Sequence, residues 1–165
     1  MVGQLYGEQA FLFKDKLIFK PPGAKGYAMH QDFIAWEGFP ESFMTVIVAI
    51  DPSDAASGAT EVFPGYHQQG CLSPRDGMYH TLSDDQVDRS RGISLDLAPG
   101  DVAFFSGFTP HCSSANTSAH SRRLLYLSFN AARDGGDIRS AHHVFFHNWL
   151  QERYAEYGKT QTYFR

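Results

Sequence analysis

A mainly β chain of many short strands, closed by one helix near its end, is the fold class this sequence predicts. Three observations predict it. The 165 residues include 14 Phe, 8 Tyr and 2 Trp, and aromatic residues favour the pleated, half-buried surface of a sheet. Fifteen Gly and eight Pro supply frequent turns, so the apolar runs they separate are short. Four-residue apolar spacing shows near the C-terminus, where Ala141, Phe145 and Trp149 would share a helical face. The length predicts one domain with enough chain to bury a core.

Taken in order, Ala10–Phe13 and Lys16–Phe19, split by Lys14-Asp15, read as a hairpin or two consecutive strands. Residues 21–26, Pro-Pro-Gly-Ala-Lys-Gly, form a loop, and 27–33 the next strand. Ser42–Ile50 is nearly all apolar and β-branched, as in a strand buried on both faces. Residues 51–58 make a long turn before a strand over 59–63, which Pro64-Gly65 ends. Residues 68–92 are polar and turn-rich and predict a surface excursion, most simply a solvated face and more sharply a lid. Ile93, Leu95 and Leu97 alternate with polar residues, so a half-buried strand is expected. Pro99-Gly100 suits a type II turn, because proline presets the first central residue and glycine allows positive φ at the second. Strands at 102–105 and 124–129 follow. Asp137 is placed to cap a helix over 138–157, with Gly158 at its stop.

Composition excludes several function classes. A formal net charge of −4 leaves no broad basic field for nucleic acid or anionic lipid. No apolar run reaches membrane-span length, and the first residues lack the basic start and apolar stretch of a secretion signal. The two cysteines, Cys71 and Cys112, are far apart, so a reducing, cytoplasmic setting is expected.

The chemistry concentrates in a few residues. On a strand, side chains two apart share a face, so His30 and Asp32 can point at one ion while Gln31 points away. His111 would arrive from another strand. Two imidazoles and one carboxylate are the ligand set of a mononuclear non-haem iron site with open positions. H-x-D triplets are common by chance, and alone this one would read as a solvated strand end. Beyond His111 stand Arg122 and Arg123, and a planar guanidinium can grip a carboxylate with two parallel hydrogen bonds. Alternation separates the two. Arg122, Leu124, Tyr126, Ser128 and Asn130 form the more polar face, suited to a ligand-holding lumen, so Arg122 is favoured.

The surrounding segments, in order, resemble the phytanoyl-CoA dioxygenase family. Lys20-Pro-Pro-Gly precedes Met29-His-Gln-Asp32. Ser57-Gly-Ala-Thr-Glu-Val-Phe-Pro-Gly-Tyr-His67 is similar to the family's N-G-x-L-x-V-x-P-G-S-H segment. Leu97-Ala-Pro-Gly-Asp-Val-Ala-Phe-Phe105 precedes Pro110-His111, and Asn116 and Arg122 follow at the family's spacing. The matches cover about two thirds of the chain. The resemblance implies a double-stranded β-helix (a jelly-roll, cupin-like barrel) with the C-terminal helix. It implies a 2-oxoglutarate-dependent dioxygenase in which His30, Asp32 and His111 bind Fe(II) and Arg122 holds the distal carboxylate of 2-oxoglutarate. Ser113 matches a position that helps hold the co-substrate, and Met29 and Gln31 flank it. Asp32 implies hydroxylation, since halogenating relatives replace that carboxylate with a small residue. Segment 129–137 resembles members that hydroxylate small polar molecules, including phosphonates.

Family members carry a largely helical region before the H-x-D, whereas 29 residues precede His30 here. The expectation is a chain lacking that region, with an apolar face or unpaired sheet edge left open, and either a homo-oligomer formed through it or a marginally stable chain prone to aggregate. Other residues take plainer readings. His143 and His147 lack the Glu of a zinc-protease motif and read as surface or packing histidines. His67 reads as a loop brace and Cys112 as a buried inert thiol. Of Tyr27, Phe33, Trp36, Phe104 and Tyr126, one or two would meet substrate and the rest would be core. The competing readings are a cupin-like metalloenzyme not using 2-oxoglutarate and a catalytically inactive jelly-roll binding module.

Overall fold

A computed structural model describes residues 1–32, 39–76 and 79–158. Phe33 and Trp36 lie outside them. Two four-stranded antiparallel sheets make up the protein. The larger has the order β1 (Ala10–Lys20), β8 (Arg122–Ala131), β3 (Met44–Ala49), β6 (Val102–Ser106); the smaller is β2 (Tyr27–His30), β7 (His111–Ser113), β4 (Thr60–Val62), β5 (Ile93–Ser94). A short helix α1 (Val2–Tyr6) precedes the sheets and α2 (Arg139–Tyr157) follows them. No helix among the described residues is long and apolar enough to cross a membrane.

The first expected pair of strands is one strand. β1 runs unbroken for 11 residues, and its register against β8 shifts between Leu12 and Lys14. That bulge admits an extra residue into the ladder without ending it. Lys14 and Lys16 break the apolar pattern because they lie on the inner face, Lys16 opposite Tyr126 and Lys14 opposite Ser128.

Registers across the large sheet set its inner face in rows. Lys14, Ser128, Thr45 and Phe105 form one; Lys16, Tyr126, Ile47 and Ala103 the next; then Ile18, Leu124 and Ala49; and finally Lys20 and Arg122. Ile47, Ala49, Leu124, Tyr126 and Phe105 pack with Val62 of the small sheet to form the core between the sheets. Leu95 and Leu97 join it, although β5 itself is only Ile93–Ser94 and Ile93 is exposed.

The excursion over 68–92 covers the outer face of the small sheet. Leu82 and Val87 are buried with Met29, Phe63, Tyr66 and Cys112, and Leu72 packs against them. The Leu82 amide donates to the Met29 carbonyl at 2.7 Å. This stretch therefore supplies core as well as solvated surface. At the other end, α2 starts after Ile138, which makes no side-chain cap, so Asp137 is not the cap. Its inward stripe keeps the expected Trp149 but runs through His142 and Phe146 rather than Ala141 and Phe145. His142 rests on Phe13 with ring centroids 4.1 Å apart, Phe146 stacks on Trp149, and Phe145 is exposed. Gly100, at φ 92°, makes the expected turn after Pro99, closed by Asp101 N–H on the Ala98 carbonyl at 3.0 Å.

Candidate active site

His30 and His111 are register partners on the adjacent strands β2 and β7. Asp32 lies two residues past His30, just beyond the end of β2. The ligand-capable atoms of these three side chains lie within 4.8 Å of one another, and among the described residues no other group of three is so arranged. Each imidazole is oriented by its own chain. His30 Nδ1 is 2.8 Å from the Ala28 carbonyl and His111 Nδ1 is 3.0 Å from that of Thr109. A carbonyl oxygen only accepts, so each Nδ1 carries the proton and each Nε2 keeps a lone pair. Thr45 donates to Asp32 Oδ2 at 2.8 Å, which leaves Oδ1 towards His111 Nε2, 3.8 Å away.

The electrostatics suit a cation. Burial pushes His30 down to about 3 and lowers His111, so both rings are neutral at pH 7. Burial alone would raise Asp32, yet its net direction is down, drawn by His111 and His30 when these are protonated and by the ammonium groups of Lys16 and Lys14 throughout. With the imidazoles uncharged, the close approach of His111 and Asp32 is not an ion pair, and the facing atoms are arranged so that they could hold a metal ion. Two neutral nitrogens and a carboxylate held in place are the donor set that takes non-haem iron.

Arg122 and Lys20 face each other across β8 and β1 at the far end of the same lumen. Lys20 Nζ is spent, donating to the Gly58 carbonyl at 3.2 Å, Ser113 Oγ at 3.0 Å and the Ser114 carbonyl. Gly58 makes this cradle possible. At φ +72° it would carry a Cβ 2.4 Å from the Ser114 oxygen and 2.8 Å from Lys20 Nζ. Arg122 is 1% exposed, and its Nε and Nη1 have no hydrogen-bond partner. A buried guanidinium costs several kcal/mol unless something anionic meets it, so the site itself asks for a carboxylate. Arg123 is on the opposite face, exposed and paired with Asp51 at 2.8 Å.

Met29 and Gln31 flank the ligands in sequence, but their side chains are committed elsewhere. Met29 is in the outer cluster of the small sheet. Gln31 Nε2 donates to the carbonyls of Gly70 and Phe108, and its Oε1 accepts from Leu72 N–H. Cys112 faces outward onto Glu61, and burial pushes its thiol up to about 11. His143 and His147 are exposed. Two site residues escaped the sequence reading. Thr45 is signalled only as a polar residue in an apolar strand, and Lys20 only as the first residue of the Lys20-Pro-Pro-Gly segment.

Comparison with known proteins agrees with this geometry. The family model described as phytanoyl-CoA dioxygenase matches residues 2–124. Methylphosphonate hydroxylase of Gimesia maris is 37% identical over 147 residues, covering 86% of this chain and 53% of that protein. A 2-aminoethylphosphonate dioxygenase from an uncultured bacterium is 36% identical over 137 residues, covering 82% of this chain and 51% of its own length. The chain thus spans about half the length of the curated relatives it matches. Among solved structures, EvdO2 of Micromonospora carbonacea in complex with 2-oxoglutarate superposes with a TM-score of 0.66 at 22% identity, over 79% of this chain and 56% of that one. With the match spanning most of the chain and the three donor side chains gathered where the motifs put them, the protein belongs to the phytanoyl-CoA dioxygenase family.

Proposed function

We propose that residues 1–165 act as one Fe(II)- and 2-oxoglutarate-dependent dioxygenase domain that hydroxylates an unactivated carbon of a small molecule, using O2. The two facing sheets are read as a double-stranded β-helix, or jelly-roll. The observation that carries the proposal is the conjunction, in one lumen, of His30, Asp32 and His111 with a buried Arg122 whose Nε and Nη1 have no partner. A cupin-like metalloenzyme without 2-oxoglutarate has no use for that guanidinium. Free Cys71 and Cys112 accord with a cytoplasmic setting.

In this reading His30, Asp32 and His111 hold Fe(II), which together with 2-oxoglutarate and O2 supplies the oxidising power to break a C–H bond, with succinate and CO2 as co-products. Arg122 fixes the distal carboxylate of the co-substrate by a charge-assisted bidentate contact. Ser113, held by Lys20, offers a hydroxyl beside it. Thr45 fixes the rotation of Asp32, and Met29 and Gln31 brace the strand that carries the ligands. Phe105, whose ring centroid lies 5.0 Å from that of His111, keeps one wall of the centre apolar and dry.

Names borne by relatives guide the substrate proposal. Methylphosphonate and 2-aminoethylphosphonate are the substrates in two of those names, and hypophosphite in a third. Small phosphorus oxyanions are therefore the class proposed first. The deciding experiment is anaerobic addition of Fe(II) and 2-oxoglutarate followed by O2. A weak visible charge-transfer band and succinate release stimulated by substrate are expected. A protein that binds 2-oxoglutarate but never releases succinate with any small phosphonate or metabolite would instead be an inactive binding module.

A further inference from the structure

We propose that Lys14 and Lys16 form an anion subsite beside the metal ligands, which takes the tetrahedral oxyanion head of the substrate, a phosphonate in the first instance. This rests on the oxygenase reading above and adds the residues that would choose the substrate.

Position is the first argument. Lys14 lies in the same inner row as Thr45, whose hydroxyl holds Asp32, and Lys16 lies in the next row with Tyr126. Both ammonium groups act on Asp32 and on His111 through their charge. They are thus away from the Lys20–Arg122 end of the lumen, Lys16 by two rows and Lys14 by three.

The second argument is what these two groups lack. Among the described residues neither Nζ has a hydrogen bond or ion pair. Lys14 Nζ rests 5.1 Å from the Phe43 ring centroid and Lys16 Nζ 5.2 Å from that of Tyr126. A ring face steadies a cation without using its N–H groups. Lys20 on the same strand shows the contrast, since its N–H groups all go to oxygen acceptors. Burial draws Lys14 down to about 8, so it is still mostly protonated at neutral pH.

Charge balance is the third. Before any ligand binds, Asp32 is the carboxylate whose charge answers both lysines. Once a divalent cation takes Asp32, and once 2-oxoglutarate answers Arg122, Lys14 and Lys16 have no counter-charge. A substrate anion supplies it. Side chains two apart on a strand are separated by about 7 Å, a span that one oxyanion with several oxygens can bridge. Lysine is a compact point charge with three donors, suited to a tetrahedral oxyanion, whereas a planar carboxylate is better matched by the arginine fork.

The test is calorimetric titration of methylphosphonate, inorganic phosphate and acetate into the anaerobic Fe(II)–2-oxoglutarate protein and into metal-free protein. Lys14→Met and Lys16→Met keep the aliphatic stem and remove the charge. Each should weaken methylphosphonate binding at least tenfold, the double variant should abolish it, and 2-oxoglutarate affinity and Tm should hold. Wild-type binding should also weaken as salt is raised. Equal affinity in wild type and variants, no wild-type binding at millimolar methylphosphonate, or acetate binding as tightly as methylphosphonate would each overturn the subsite. Lysine-dependent methylphosphonate binding in a protein that never develops the 2-oxoglutarate charge-transfer band would overturn the oxygenase reading and leave the subsite standing.

Discussion

Thr45 on β3 donates its hydroxyl to Oδ2 of Asp32 at 2.8 Å, and both side chains are buried. The carboxylate is carried just past the end of one sheet and anchored to the other, so the candidate metal site is stitched across the two layers. Removing that donor should leave Asp32 free to rotate. Thr45→Val keeps the shape and deletes the bond. Metal affinity should fall about 10- to 100-fold, the usual effect of losing a partner behind a ligand. Competition against a chromophoric chelator measures it, and unchanged affinity would show that Asp32 is fixed by something else.

Each metal ligand should be separately required. Replacing His30, Asp32 or His111 by Ala should abolish the anaerobic charge-transfer band while far-UV circular dichroism stays native. Iron binding and turnover preserved in His111→Ala would end the assignment of the triad.

Arg122 and Arg123 are neighbours with opposite environments, one buried without a partner for Nε and Nη1, the other exposed on Asp51. Arg122→Gln should raise the Kd for 2-oxoglutarate by roughly 10- to 150-fold, as a hydrogen bond to a charged group contributes about 1.5–3 kcal/mol. Arg123→Ala should leave that Kd alone. A reversal of the two effects would mean that the co-substrate lies on the other face of β8.

Stability should depend on pH through the buried imidazoles. His30 is pushed down to about 3 and His142, also by burial, to about 4. An unfolded histidine takes its proton near pH 6.5. Between that pH and the folded values, the unfolded chain binds more protons than the native one. Stability is therefore full above about 6.5 and is lost as pH falls towards 4 and 3. Urea midpoints of metal-free protein at pH 7.5, 6 and 5 should decline in that order. His30→Gln should flatten the decline in part, since His142 still contributes. A midpoint constant from pH 7.5 to 5 would contradict the buried neutral state.

Much of the site could be read from the chain because its parts obey strand periodicity. His30, His111 and Arg122 each sit where alternation turns them inward, and β3 shows in the sequence as a nearly all apolar run. Failures arose where the lumen is polar. Lys14-Asp15 reads as a break between strands, although Lys14, like Lys16, is an inner-face residue of one bulged strand. The helix stripe reads as Ala141, Phe145 and Trp149 because histidine counts as polar, whereas His142 packs on Phe13 and Phe146 stacks on Trp149.

The cover over the small sheet was similarly hidden, since Leu82 and Val87 are isolated among polar residues and only the fold brings them together. Truncating Leu82 to Ala should cost about 2–5 kcal/mol, as for other buried leucines. Its amide, bonded to Met29, should exchange slowly with or without 2-oxoglutarate. Fast exchange there in the free protein, slowed by ligand, would restore the lid reading.

The outer face of the large sheet leads to the last prediction. Registers align Leu17, Leu125, Val48 and Val102 in one row across all four strands. Leu17 is 54% exposed, Val102 is 42% exposed, and Phe19 on the same face of β1 is 56% exposed. Adjacent exposed apolar side chains on a flat sheet favour association, because burying them against a partner removes that area from water. The chain by itself should therefore form homo-oligomers or aggregate at high concentration. Leu17→Lys with Phe19→Thr should shift it towards monomer, because both side chains point outward and neither supports the core. Light scattering coupled to size exclusion decides between the outcomes. A wild-type monomer at high concentration, unchanged by these substitutions, would show that this face is tolerated in water.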